Sequence, residues 1–141
     1  MPGLVLTNAY VVYAGYDISQ YVTSIELRSS VDIIDTTRIG ALSRTRQGGV
    51  FDNSVTFELN QDYADNALEE IINGTSFATT TVGTSVAIEI RPVNAATSAN
   101  NPKYTFNALI AEWQSVSASL GSLVTASVTW PITGNITKSI T

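Results

Sequence analysis

The sequence contains no cysteine and no histidine. The first absence excludes a disulfide framework and any thiolate ligand or nucleophile. The second removes the commonest general base and the commonest metal ligand together. Charge is also scarce. Charged residues make up 13% of the chain, against ~25% in an ordinary soluble domain. The polar load falls on Ser, Thr and Asn instead. Such a surface suits a chain that buries much of itself against its own copies, and a merely Thr-rich β domain has the same composition. Seven basic residues face twelve acids, for a net charge of −5. A chain this acidic is a poor candidate for binding nucleic acid by counterion release, which needs clustered Lys and Arg. No apolar run approaches the ~20 residues of a membrane span. Met1 to Leu6 has neither a basic segment nor a long apolar core, so no signal peptide is expected. At 141 residues, 1–141 reads as one domain, large enough to bury a core.

What is present is mostly strand pattern. Leu4 to Tyr13 reads as a β-rich opening strand, closed by a turn at Gly15-Tyr16-Asp17. From Ser24 to Asp35 the alternation is clean. Ile25, Leu27, Val31 and Ile33 take one face, and Glu26, Arg28, Ser30 and Asp32 take the other. From Val50 to Gln61, Phe51, Val55, Phe57 and Leu59 oppose Asp52, Ser54, Thr56 and Glu58. Period two over these lengths predicts two half-buried strands, paired antiparallel. Further strands are expected over Ser85–Arg91, Tyr104–Val116 and Leu123–Ile132, with a short one over Asn135–Ile140. Pro92 and Pro102 bracket a loop of small polar residues, Asn94 to Asn101. The one helix is expected over Tyr63–Asn73. Asp62 is its N-cap, Asp65 lies in its first turn, and Ala64, Ala67, Leu68, Ile71 and Ile72 form its apolar stripe. Gly74 is placed to end it. The fold class is therefore mainly β, with one flanking helix.

The chemistry of a catalyst is missing. Asp32/Asp35 and Glu69/Glu70 are paired acids, but glycoside hydrolysis needs two carboxyls about 5–10 Å apart across a cleft. Asp35 belongs at a strand end and Glu69/Glu70 on a helix surface. Asn60-Gln61-Asp62 with Asp65 is the nearest approach to a calcium loop, and helix capping accounts for it better. No Gly-x-Ser-x-Gly elbow occurs, and no His could activate a hydroxyl. Gly48-Gly49 is followed by a strand rather than by Gly-Lys-Ser/Thr and a helix, so it is no phosphate loop. No enzyme, cofactor or metal site is expected.

One loop stands out. Thr36 to Gly49 separates the two alternating strands and is far longer than the ~2–5 residues of a usual hairpin loop. It holds three of the seven basic residues, Arg38, Arg44 and Arg46, and no acid. Asp62, Asp65, Glu69 and Glu70 form an unbalanced acidic segment. Opposite charges on separate patches of one chain favour head-to-tail contact between copies, which builds rings and filaments. A solvated hairpin tip is the plainer alternative.

Several stretches in order resemble the tail tube (major tail) proteins of long-tailed bacteriophages. Asp17-Ile18-Ser19-Gln20-Tyr21-Val22-Thr23-Ser24-Ile25 is similar to that family's opening turn into its first long strand. The Arg-bearing loop then leads to Phe57-Glu58-Leu59-Asn60-Gln61-Asp62-Tyr63. The helix, Glu89-Ile90-Arg91-Pro92, Asn101-Pro102-Lys103-Tyr104 and the closing Ser122-Leu123-Val124 strand follow. The resemblance implies a β-sandwich or partial barrel with one flanking helix and a long hairpin loop. It implies homo-hexameric rings stacked head-to-tail into a hollow tube, inside which DNA passes without specific binding. It also implies partners among other tail proteins (tape measure, terminator, distal tail), assembly in the host bacterial cytoplasm, and no membrane. Carried onto this chain, Ser24–Asp35 and Val50–Gln61 become the inner strands. Glu26, Arg28, Asp32, Asp52, Thr56 and Glu58 become lumen-facing, and Arg38, Arg44 and Arg46 sit on an inter-ring loop. The Val86–Trp130 region is expected to form much of the outer body.

Two other readings stay open. A tail terminator or head–tail joining protein shares the fold and forms rings that cap. A carbohydrate- or surface-binding β-sandwich would present clustered exposed aromatics, whereas Trp113 and Trp130 sit in apolar runs that suit a core or an interface.

Overall fold

The computed structural model describes residues 8–64, 67–73 and 82–140. The strands are β1 (Tyr10–Tyr13), β2 (Tyr16–Asp17), β3 (Val22–Asp35), β4 (Arg46–Asn60), β5 (Ser85–Arg91), β6 (Lys103–Leu109) and β7 (Thr125–Ser139). One helix, α1 (Leu68–Asn73), lies between β4 and β5. Neighbouring strands pair antiparallel in the order β2-β1-β5-β6-β7-β4-β3. The two end strands do not pair with each other, so the sheet is not a closed barrel.

The architecture turns on β7. Its first part, Thr125 to Pro131, pairs with β4, and its second, Ile132 to Ser139, pairs with β6. Pro131 stands where the strand changes partner, so its missing N–H removes no bond from the middle of a ladder. Beyond it, Thr133 to Thr137 opposes only Asn107 to Thr105, and Gly134 within that bulge has φ of 84°. A left-handed residue in a bulge bends the strand, which lets one strand serve two half-sheets. The halves then face each other. The Trp130 ring lies 5.8 Å from Phe57 on its own half and 5.9 Å from Tyr13 on the other. Val11, Ile88, Phe106 and Ala108 from one half meet Val55, Leu59, Ala126 and Val128 from the other in one core cluster. Leu68 and Ile72 of α1 are buried in the same cluster.

Three expectations need correction. The expected helix is α1, the one α-helix among the described residues, not Tyr63–Asn73. Asp62 still caps, in that its Oδ1 accepts the Ala64 N–H at 3.0 Å, but it closes a turn ahead of the helix. Asp65 and Gly74 lie outside the described residues. The strand expected over Tyr104–Val116 stops at Leu109. Beyond it, residues 110–124 run beside β7 without forming a strand, bonding it through the Glu112 and Gln114 side chains and through the Glu112 and Ser117 carbonyls. Asn135–Ile140 belongs largely to β7 itself and forms no separate strand. The loop after Pro92 is held by Asn101. That side chain is only 7% exposed, accepts the Val93 N–H at 3.1 Å and donates to the Val93 carbonyl at 3.0 Å.

The alternation of β7 is as expected. Ala126, Val128 and Trp130 are buried, and Thr125, Ser127 and Thr129 are exposed. Because Trp130 contacts both halves, Trp130→Ala should cost about 3–5 kcal/mol in denaturant unfolding. A loss below ~1 kcal/mol would show that the halves are held together elsewhere.

Candidate functional site

The β3–β4 register decides which side chains share a face. Ser24 opposes Glu58, Glu26 opposes Thr56, Arg28 opposes Ser54 and Ser30 opposes Asp52. Directly opposed residues project to the same side of a sheet. The structure thus brings Glu26, Arg28, Asp52, Thr56 and Glu58 onto one solvated face, each exposed or half-buried. Asp32, also exposed, lies within a register shift between Val31 and Ile33. Gly49 sits opposite this irregularity. A Cβ there would stand 3.2 Å from the Asp32 carbonyl oxygen, tighter than an ordinary contact, so glycine suits the close approach. Among the described residues carboxylates dominate the face: Glu26, Asp32, Asp52 and Glu58 stand with one cation, Arg28.

β7 enlarges this face. Ser127 opposes Glu58 and Thr129 opposes Thr56. The Thr56 and Thr129 hydroxyls are 3.1 Å apart. Behind the face, Val55, Phe57, Leu59, Ala126, Val128 and Trp130 are buried. The result is a three-stranded wall, wet on one side and packed on the other.

Beyond that wall β3 and β4 continue as a two-stranded ribbon. β7 accompanies β4 only as far as Ser54. Among the described residues the farther strand positions therefore have no third strand and no covering layer. Val31, Ile33 and Phe51 were expected on a core face, but they are 39%, 72% and 66% exposed. Ile34 and Val50 are exposed as well, and Ile39 and Leu42 on the loop are fully so. A lone two-stranded ribbon is marginal in water, and a run of bare apolar side chains marks a contact surface.

The Arg-bearing loop is shorter than its sequence limits, because β4 begins at Arg46. Its neck is tied by the Thr36 N–H on the Thr45 carbonyl at 2.9 Å. Arg44 donates to Asp35 at 2.8 Å. Among the described residues Arg38 and Arg46 form no ion pair. The Asp35 carboxyl is held below its ordinary value. The hydrogen bond from the Thr37 side chain contributes most, then the Thr37 backbone N–H, with a smaller part from Arg44.

The acidic segment starts past the other end of β4. That strand has 15 residues, so the two charged regions are separated by on the order of 50 Å along it. Asp62 is engaged with the Ala64 N–H. Glu69 Oε2 accepts the Trp113 indole N–H at 2.8 Å and a Gln61 amide N–H at 3.1 Å. Glu69 and Glu70 are half-buried. An open apolar cleft of about 490 Å³ separates Ile25 and Leu27 of β3 from Ile90, Tyr104 and Ile136 of the opposite half. It is the seam that leaves the barrel unclosed. Among the described residues no group of His, Cys, Asp and Glu gathers as metal ligands, and no helix is long and apolar enough to cross a membrane.

No protein-family model and no curated protein matches the sequence. Solved structures match the fold. A chain of the virion of a native gene transfer agent particle superimposes with a TM-score of 0.68, covering 94% of this chain and 95% of that one at 10% identity. This fold is shared. A chain of the anti-feeding prophage baseplate, solved with 6-fold symmetry, gives a TM-score of 0.54 over 98% of this chain and 97% of that one, at 11% identity. At such identities the likeness concerns the fold.

Sequence reasoning missed the part played by β7 in the polar face. The signal was present in Thr125, Ser127 and Thr129, but an alternating pattern does not say which strand will lie beside it. The Asp35 carboxylate accepts the Thr37 N–H and the Arg44 guanidinium at the neck of the loop, and the sign of its shift sets the pH range over which these bonds hold. The bonding should be complete above the ordinary carboxyl value of 3.8 and be lost as pH falls through the lower folded-state value. Amide exchange at Thr37 checks this. A Thr37 amide whose protection does not change on acidification would show that the carboxylate does not order the loop.

Proposed function

We propose that this chain is a structural, non-enzymatic subunit of a phage-type tail. Copies join into six-membered rings, and the rings stack into a hollow tube that conducts DNA. The wall of β3, β4 and the first part of β7 faces the lumen, and the ribbon with its Arg-bearing loop reaches the next ring. The observation that carries this reading is the joining of two features on one hairpin. A carboxylate-rich wet face backed by the core runs directly into a bare apolar ribbon. The end-to-end fold likeness to a chain of a gene transfer agent virion supports it, as does the likeness to a chain of a six-fold baseplate.

Physical chemistry fits each part. Four carboxylates against one guanidinium repel phosphates, so DNA slides without sticking. Side-by-side closure removes open strand edges. Stacking covers Ile39 and Leu42 and brings the free cations Arg38 and Arg46 towards the acidic end of another copy.

Negative-stain microscopy of concentrated protein tests the proposal, with long hollow tubes as the expected result. Single rings that never stack would favour a terminator or joining role, which the baseplate likeness also accommodates. Protein that stays monomeric at every concentration, with or without preformed tail ends, would overturn both. Reversing Arg38 and Arg46 to Glu, while keeping the Arg44–Asp35 pair, should block stacking and leave the subunit folded by circular dichroism. Tubes of normal length from that variant would remove the loop from the inter-ring contact.

A further inference from the structure

We propose that Glu112 and Gln114 guard the outer edge of β7, and that assembly replaces them with β3 of a second copy. The proposal rests on the ring reading above and concerns how ring closure is controlled. The three-stranded wall β7-β4-β3 has two outer edges. Among the described residues no strand pairs with the outer edge of β3, a strand of 14 residues. Along β7 it is occupied, but not by a strand. The Ser127 N–H donates to Gln114 Oε1 at 2.9 Å, and the Thr129 N–H donates to Glu112 Oε1 at 3.0 Å. Outward N–H groups recur every second residue of a strand, and Glu112 and Gln114 are spaced to meet them.

These bonds make only half a ladder. A carboxylate is an acceptor alone. The Ser127 and Thr129 carbonyls point outward with their N–H groups and receive no hydrogen bond among the described residues. An incoming strand supplies donors and acceptors together, so it can outcompete the two side chains. Both of those side chains are exposed, so exchange need not open the core. The geometry suits β3 as the incoming strand. β3 and β7 are both antiparallel to β4 and so parallel to each other. A rotation that repeats the wall places β3 of one copy beside β7 of the next in that same parallel sense. A wall with two bare edges would pair as soon as it folded. With one edge guarded, pairing waits for concentration or for a preformed ring.

The test compares the native chain with Glu112→Ala/Gln114→Ala and with Glu112→Gln, which keeps an acceptor oxygen. A synthetic peptide spelling residues 22–35 serves as the probe strand. The double variant should stay folded by circular dichroism, exchange its Ser127 and Thr129 amides about tenfold faster, and bind the peptide about tenfold more tightly. It should also begin to assemble at about a tenfold lower concentration, while Glu112→Gln behaves as the native chain. Equal peptide binding by native and double-variant protein, with the two amides exchanging faster, would overturn the guard. The peptide readout needs no rings. Discriminating binding without rings from either protein would uphold the guard and overturn the tail reading.

Discussion

The packing of Trp130 against Tyr13 and Phe57 is the contact on which the rest depends. A single strand belongs to both half-sheets, and its largest side chain sits where they meet. Its indole N–H is satisfied by the Glu112 carbonyl at 2.8 Å, so the ring is buried without an orphan donor. With the halves fixed this way, one face of β4 is committed to the core along Val55, Phe57 and Leu59. The opposite face is then committed to water, and with it every charge that gives the wall its character.

The same constraint explains the ribbon. β7 turns away at Pro131 to pair with β6, so it cannot also cover the distal part of β4. The hairpin continues regardless, because β3 and β4 go on satisfying each other's backbone groups out to Asp35 and Arg46. Their side chains are left without a layer to pack on. The exposure of Ile33, Val50 and Phe51 follows from how one strand changes partner, and it leaves the ribbon with a bare apolar surface.

The two edges of the wall differ for a related reason. Residues 110–124 must return from the end of β6 to the start of β7. That path runs along β7, where Glu112, Gln114 and the anchoring Trp113–Glu69 contact hold it. Among the described residues β3 has no such neighbour. An asymmetric pair of edges gives association a direction, as head-to-tail assembly needs and as two identical edges could not.

Much of this was legible in order of locality. Alternation along β3, β4 and β7 gave the faces, because period two is a property of neighbouring residues. The missing Cys and His excluded thiol and imidazole chemistry, and the unbalanced charges of the loop and the acidic segment were plain. The helix was over-extended, since its apolar stripe continued past what the core could receive. Val31, Ile33 and Phe51 were misplaced, since an apolar face on a strand says nothing about whether another layer exists to cover it. By itself the sequence determined which residues share a side of each strand and what charge that side carries. Only the tertiary structure decided which strands lie together, where β7 changes partner, and which edge is guarded. Those depend on contacts between residues far apart in the chain, which no local pattern encodes.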